Sequence, residues 1–81
     1  MTDLFKWTSD NGRWQVVAEA TLPVTGYVLE NDEIVGNWLQ IERGRLDCEV
    51  KVPGYVKTAM KRLAILATDK AQQKTTALVM E

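Results

Sequence analysis

The sequence of 81 residues contains no histidine, a single cysteine, two prolines and five glycines. Without histidine and with one thiol, the chain lacks the usual ligands of a zinc site and the residues of Cys/His dyads and Ser-His-Asp triads. It also has no glycine-rich phosphate loop and no GxSxG motif. These absences argue against hydrolases and transferases. We therefore expect no catalytic residue, no metal, no cofactor and no enzymatic activity.

Long apolar stretches are also missing. No run of about 18 apolar residues and no charged-then-apolar leader is present, so we expect no membrane segment and a cytoplasmic location. A single cysteine cannot form an internal disulfide, which suits a reducing compartment. Because Cys48 alternates with Leu46 and Val50, it is expected to be a small core residue and not a reactive thiol.

The remaining composition is that of one small globular domain covering residues 1–81, with 46% hydrophobic and 26% charged residues. The net charge of -1 argues against strong long-range attraction to nucleic acid or to anionic membranes. The charge is unevenly distributed, however. Residues 1–52 carry nine acidic and five basic residues, whereas residues 53–81 carry five basic and two acidic residues.

The first half of the chain has the two-residue periodicity of strands. Residues 13–22 alternate apolar and polar side chains, and Asn11 with Gly12 is a strong hairpin signal just before them. A two-residue turn at this position places Trp7 opposite Val16, on the apolar side of both strands. Alternation and turn therefore predict the same register.

A third strand is expected over residues 25–30, after a bend at Pro23, and the next turn follows at residues 31–33. Arg43 and Gly44 then predict a second hairpin. Its symmetrical register pairs apolar residues on the inner face, with Leu39 opposite Cys48 and Ile41 opposite Leu46. The polar face of this hairpin holds Trp38, Gln40, Glu42, Asp47 and Glu49.

After Pro53 the periodicity changes to about 3.6 residues, which predicts a helix from about residue 55 to 73 within a helical part 53–74. Its apolar stripe contains Val56, Ala59, Met60, Leu63, Ala64, Leu66, Ala67 and Ala71. Residues 75–81 are expected to form a tail or an edge strand. The predicted fold is α+β: an antiparallel meander of four to five strands (1–52) with one C-terminal helix packed on one face.

Trp38 is the most informative residue for function, because the predicted register places its indole among polar side chains. Exposed aromatic residues are favoured as interface anchors and as stacking platforms for unpaired bases. The alternatives are that Trp38 covers the aliphatic stems of Lys51 and its neighbours, or that a one-residue bulge at Gly36 or Asn37 turns Trp38 inward. The expected partner-binding residues are Trp38, Gln40, Glu42, Asp47 and Glu49.

The exposed side of the helix suggests a second interface. Lys57, Lys61 and Arg62 can contact phosphates, with Trp38 or Tyr55 stacking on bases. Rows of basic residues are more commonly solvated helix surfaces. Nucleic-acid binding through Lys57, Lys61 and Arg62 is therefore the alternative function.

Three carboxylates, Glu30, Asp32 and Glu33, cluster at one predicted turn. A Ca²⁺ loop spreads its ligands over about twelve positions and ends in a bidentate glutamate, which this segment does not provide. We interpret the cluster as a charged hairpin tip. An enzymatic site built on these carboxylates is the least favoured alternative.

The leading hypothesis is a small non-enzymatic protein-binding module whose Trp38 face contacts a partner that carries basic residues. Self-association into a homo-oligomer is a variant of this hypothesis. In size, in its lack of catalytic residues and in its acidic sheet with a basic helix, the chain is loosely similar to small accessory proteins of phages and mobile elements. That resemblance implies inhibition of a host complex.

Overall fold

A computed structural model describes residues 3–79 of the protein, with the side chains of residues 3–73. It contains a five-stranded antiparallel sheet in which neighbouring strands follow chain order. The predicted α+β meander with a C-terminal helix on one face is confirmed. The elements are β1 (Leu4–Thr8), β2 (Trp14–Glu19), β3 (Thr25–Glu30), β4 (Glu33–Glu42), β5 (Arg45–Cys48) and α1 (Gly54–Val79).

The helix is longer than the sequence pattern predicts. It continues to Val79, so the predicted tail or edge strand is wrong for residues 75–79. Residues 80 and 81 lie outside the described part of the chain. The sequence pattern predicts an earlier end of the helix, because the apolar stripe stops at Ala71 and the residues that follow are mostly polar or β-branched.

The hairpin of β1 and β2 has the predicted register, with Trp7 opposite Val16. Its turn differs in detail, because the Ser9 N–H donates to the Trp14 carbonyl and closes a loop of four residues. Within that loop only Gly12 has a positive φ, of 73°. Alternation of apolar residues thus determined the register, while the turn could close in more than one way.

The hairpin of β3 and β4 turns at Asn31 and Asp32, where the sequence predicted a turn. Both residues have positive φ, 52° and 67°. Short polar side chains tolerate this left-handed backbone, which suits the twist of a tight hairpin. Glu30 at the start of the turn accepts a hydrogen bond of 2.5 Å from Arg13 on β2.

The hairpin of β4 and β5 departs from the predicted register after one pair. Glu42 is opposite Arg45 as expected, but Gln40 is opposite Leu46, so Ile41 is an extra residue in β4. Such a bulge reverses which face each following residue occupies. The predicted inner positions of Leu39 and Ile41 are therefore wrong, and both side chains are exposed.

A second irregularity in β4 lies near its other end. Val28 is opposite Gly36 and Leu29 is opposite Ile34, which leaves Val35 as an extra residue. Between these two bulges, the pairing of β4 with its neighbouring strands is therefore shifted by one residue relative to an uninterrupted strand. In this central part the residues on the helix side are Gly36, Trp38 and Gln40.

The core lies between the helix and the face of the sheet that holds Trp14 and Val16, as predicted. All the predicted helix stripe is buried except Leu66, which is half exposed. Ala64 and Ala67 are fully buried, and such small side chains let a helix come close to a sheet. The buried cluster is Trp14, Val16, Ala18, Ala20, Val24, Val28, Trp38, Val56, Met60, Leu63, Ala64 and Ala67.

A buried polar contact joins β4 to the helix. The Gln40 amide donates to the Thr68 hydroxyl at 2.6 Å, and that hydroxyl donates to the Ala64 carbonyl at 2.7 Å. The Gln40 side-chain oxygen accepts from the Gly44 N–H at 3.1 Å. Gln40 can be buried because both ends of its amide are bonded.

An exposed ion pair reinforces the same junction, with Arg43 and Asp69 2.8 Å apart. The hydrogen bond from Arg43 lowers the pKa of Asp69, and the same bond raises the pKa of Arg43. A carboxylate with a lowered pKa stabilises the fold above its ordinary pKa, and this contribution is lost as the pH falls through the lowered value. Because both groups are solvated, the effect is small.

Gly26 on β3 provides the space that Trp38 occupies. The two residues are directly opposite each other in neighbouring strands. A Cβ atom at position 26 would lie 2.5 Å from the Trp38 Cζ2 atom, and it would also collide with the Val17 carbonyl oxygen. Only glycine fits at this position, because one of the obstructing atoms belongs to the backbone.

We expect Gly26→Ala to reduce the free energy of unfolding by at least about 2 kcal/mol, which lowers the Tm by roughly 10 °C. Gly54→Ala is the matched control, since nothing lies within 4 Å of a Cβ at that position. Its effect should stay within about 0.5 kcal/mol. Urea unfolding followed by circular dichroism measures both changes. Equal losses in the two variants would contradict the packing of Trp38 on Gly26.

Candidate functional site

Two of the five predicted partner-binding residues lie in the core. Trp38 is 3% exposed and Gln40 is 7% exposed, because the bulge at Ile41 turns both side chains toward the helix. The prediction that Trp38 and Gln40 form a contact surface is therefore wrong. The alternative in which Trp38 points inward is correct. The bulge in the pairing of β4 with β5 is at Ile41, however, and not at Gly36 or Asn37.

The other three predicted residues are exposed but do not form one cluster. Glu42 lies 4.0 Å from Arg45 across the turn. Asp47 is opposite Leu39 and shares its face of the sheet. The Glu49 carboxylate accepts a hydrogen bond from the Asn37 N–H at 3.4 Å, which holds it against the edge of β4.

The structure brings together a different surface, on the face of the sheet opposite the helix. We call it the open face and define it by five apolar residues. Side chains directly opposite in an antiparallel register share a face, and the register groups the residues in adjacent rows. The residues are Val17, Tyr27, Leu29, Ile34 and Leu39.

No element in residues 3–79 covers the open face. Val17 is nevertheless buried by its neighbours, and Tyr27 and Leu29 are half buried. Leu39 is 38% exposed and Ile34 is 62% exposed. A contiguous group of large apolar side chains on one face differs from the single exposed apolar residues that most surfaces carry.

Carboxylates surround the open face. Glu19 and Asp47 lie in the same row as Leu39. Asp32 accepts a hydrogen bond from the Gln15 amide at 3.2 Å, which places its carboxylate beside the row of Leu29. Lys6 on β1 and Arg45 on β5, which shares the side of Asp47, are the basic residues on this face of the paired strands. The surface therefore has an apolar centre and a mostly acidic rim.

The basic residues of the helix are exposed as predicted, but they line two separate grooves. Lys57 and Lys61 border a groove of about 620 Å³ between α1 and β5. Arg62 borders another, of about 480 Å³, between α1 and β1. None of the three is in an ion pair with a residue of the described part of the chain.

The groove beside Arg62 contains an aromatic pair that the sequence did not predict. Trp7 on β1 and Tyr55 in the first turn of the helix have ring centroids 6.4 Å apart and planes tilted by 59°. Tyr55 is 53% exposed, whereas Trp7 is half buried. The sequence pattern predicts a core position for Trp7, and the location of Trp7 at the edge of the helix explains why it is only half buried.

The described side chains contain no group of three or more acidic or cysteine residues arranged to hold a metal ion. In the described part of the chain, no helix is long and apolar enough to span a membrane. Cys48 is half buried and packs against the core as predicted, with its thiol 3.1 Å from the Val50 carbonyl.

The sequence does not predict the open face, although it predicts the strands that form it. The reason is that apolar alternation in β4 points Leu39 inward and Trp38 outward, the reverse of the observed orientation. One signal was available in the sequence. Gly26 alternates with Val28 on the inner face of β3, and a glycine there leaves space that a large neighbour must fill. Trp38 is the large residue that the neighbouring strand provides.

Comparison with models of protein families, with curated proteins and with solved structures finds no significant match to this chain.

Because Trp38 is buried, removing its ring should destabilise the fold, whereas removing an exposed interface anchor would leave the stability nearly unchanged. We expect Trp38→Ala to lower the free energy of unfolding by about 3 to 5 kcal/mol, because it leaves a cavity over Gly26. Trp38→Phe should cost much less, since it keeps a ring over Gly26 and removes an indole N–H that is buried without a hydrogen-bond partner. Chemical unfolding followed by circular dichroism compares the two. A Trp38→Ala variant as stable as the wild type would place Trp38 on the surface.

Proposed function

We propose that this protein is a small non-enzymatic protein-binding module that contacts its partner through the open face. The observation that carries this proposal is the exposure of Leu39, Ile34 and their neighbours on a sheet whose other face already holds a filled core. Exposed groups of apolar residues with a polar rim are typical of protein interaction sites. Tyr27 at the centre provides an aromatic anchor of the kind enriched in such interfaces.

The rim indicates the chemistry of the partner. Glu19, Asp32 and Asp47 outnumber Lys6 and Arg45, so a second surface of the same kind would be weakly repelled. A partner with an apolar strip flanked by lysine or arginine would be attracted, because complementary charges raise the association rate and select the partner. We therefore propose a basic protein partner. An accessory or inhibitory role toward a host complex would use a surface of this type.

The proposal is tested with Leu39→Glu, which introduces a charge on the open face. A displayed random-peptide library is selected on the wild-type protein, and the recovered binders are measured against the variant. We expect binders rich in apolar and basic residues, and at least tenfold weaker binding to Leu39→Glu. Because Asp47 lies directly opposite position 39, the new carboxylate should lower the Tm by a few degrees, and unfolding curves verify that the variant is folded.

Leu66→Glu is the matched control, because Leu66 is also exposed but lies on the helix, on the other side of the molecule. Binding unchanged by Leu66→Glu and lost with Leu39→Glu supports the open face. Equal effects of both variants, or binders rich in acidic residues, would contradict the proposal. Analytical ultracentrifugation of the wild type adds one further outcome: a dimer that Leu39→Glu dissociates would mean that the open face binds a second copy instead.

Nucleic-acid binding is the second candidate, and the pairing of Trp7 with Tyr55 beside Arg62 favours it. Aromatic rings next to basic residues form stacking platforms for unpaired bases. Lys57 and Lys61 extend the basic surface along the helix. This arrangement adds a second aromatic residue to the one expected from the sequence.

For this candidate, tryptophan fluorescence is followed while single-stranded oligothymidine is added. Three phosphate contacts predict that the affinity falls roughly twentyfold between about 50 and about 200 mM salt. Removing the stacking ring by Tyr55→Ala should weaken binding at both salt concentrations, whereas Leu39→Ala on the open face should not. A titration that shows no saturable change at the lower salt concentration would exclude this candidate.

A further inference from the structure

The groove between α1 and β5 exists because the helix covers the sheet unevenly. The helix packs mainly against β1 and β2. At the other edge, the inward side chains of Leu46, Cys48 and Val50 pack against the core but stay only half buried. Met60, fully buried, closes the bottom of the groove. The result is a groove with an apolar floor and charged sides that runs along an edge strand.

The edge of β5 also has unpaired backbone groups. The Glu49 N–H donates to the Asn37 carbonyl at 3.2 Å, so Glu49 is a residue whose backbone points toward β4. In an antiparallel pair this orientation alternates along the strand. The N–H and C=O groups of Leu46 and Cys48 therefore point away from β4. No strand of the described chain pairs with this edge.

The charge at the groove is basic. Of its charged lining residues, Arg45, Lys51, Lys57 and Lys61 are basic, and Asp47 and Glu49 are acidic. Arg45 and Asp47 alternate with Leu46 along β5 and therefore point to the open face, while the Glu49 carboxylate accepts from the Asn37 N–H. The basic charge of the groove therefore comes from Lys51, Lys57 and Lys61. Lys57 and Lys61 have no ion-pair partner among residues 3–73.

From these three features we infer that the groove binds an extended acidic peptide, which adds to β5 as a sixth strand. Strand addition at a free edge uses main-chain hydrogen bonds for affinity and adjacent pockets for specificity. Lys57 and Lys61 are one helical turn apart, about 6 Å along the axis. Alternate residues of a strand are about 6.6 Å apart. Two acidic residues at alternate positions can therefore face both lysines.

This site is independent of the open face. It lies on the helix side of the sheet, and its proposed contacts, Leu46, Cys48, Lys57 and Lys61, do not belong to the open face. It also selects acidic instead of basic chains. Failure of the peptide to bind in the groove would leave the proposed function intact, and failure of the open face would leave the groove intact.

The probe is a fluorescent nine-residue peptide of threonine whose second and eighth residues are valine and whose fourth and sixth residues are glutamate. Its alternate positions place two acidic and two apolar side chains on the face directed at the groove. We expect saturable binding with a Kd in the micromolar to submillimolar range. We also expect slower alkylation of Cys48, since this cysteine lines the groove and is the only thiol in the chain.

Two double variants, which change the net charge of the protein by the same amount, locate the site. Lys57→Glu with Lys61→Glu should weaken binding at least tenfold. Lys6→Glu with Arg62→Glu, which changes no residue of this groove, should change binding less than about twofold. Equal losses in the two variants would show attraction to net charge alone and would overturn the proposal. Unfolding curves verify that both variants are folded.

Two peptide controls test the mode of binding. N-methylation of the residues that face β5 removes the backbone donors and should abolish binding, and replacing both glutamates with lysine should do the same. Undiminished binding of either control overturns strand addition by an acidic chain. Binding of oligothymidine or of dodecanoate to Lys57 and Lys61 in the absence of peptide binding would also overturn it, and would assign the groove to a phosphate chain or to an anionic amphiphile.

Discussion

The contact of the Trp38 indole with Gly26 is the constraint on which both faces of this sheet depend. The Trp38 ring can lie between the sheet and the helix because Gly26, directly opposite in the neighbouring strand, has no side chain. Once Trp38 points inward, Leu39 must point outward, because successive residues of a strand alternate. The filled core and the apolar open face are therefore two results of one packing choice.

Local signals predicted most of the fold, and the places where they failed have a common cause. In β1 and β2 the alternation and the Asn11–Gly12 turn gave the same register, and the structure has that register. In β4 both phases contain large apolar side chains, so alternation cannot choose between Trp38 and Leu39. Gly26 on β3 and the bulge at Ile41 determine which of the two residues points inward, and neither can be recognised from the periodicity of β4 itself.

The candidate sites were less predictable than the fold, because they depend on where elements lie relative to one another. The exposure of Lys57, Lys61 and Arg62 followed from the helical pattern. Their separation into two grooves followed from the position of the helix over β1 and β2, which no single element encodes. The pairing of Trp7 with Tyr55 has the same origin, since residues 48 positions apart meet only after the helix docks.

The buried amide of Gln40 shows why the alternative register is not simply a second way to pack the same chain. Shifting β4 by one residue would bury Leu39 and Ile41, but it would expose Gln40 and leave the Thr68 hydroxyl on the helix without its donor. It would also separate the Gly44 N–H from the Gln40 oxygen that now caps the turn. Unpaired buried polar groups cost more than a well-made bond contributes. The polar junction and the Trp38 packing thus select the same phase of β4. That phase leaves large apolar side chains facing solvent, so their exposure is the consequence of a specified register and not of loose packing.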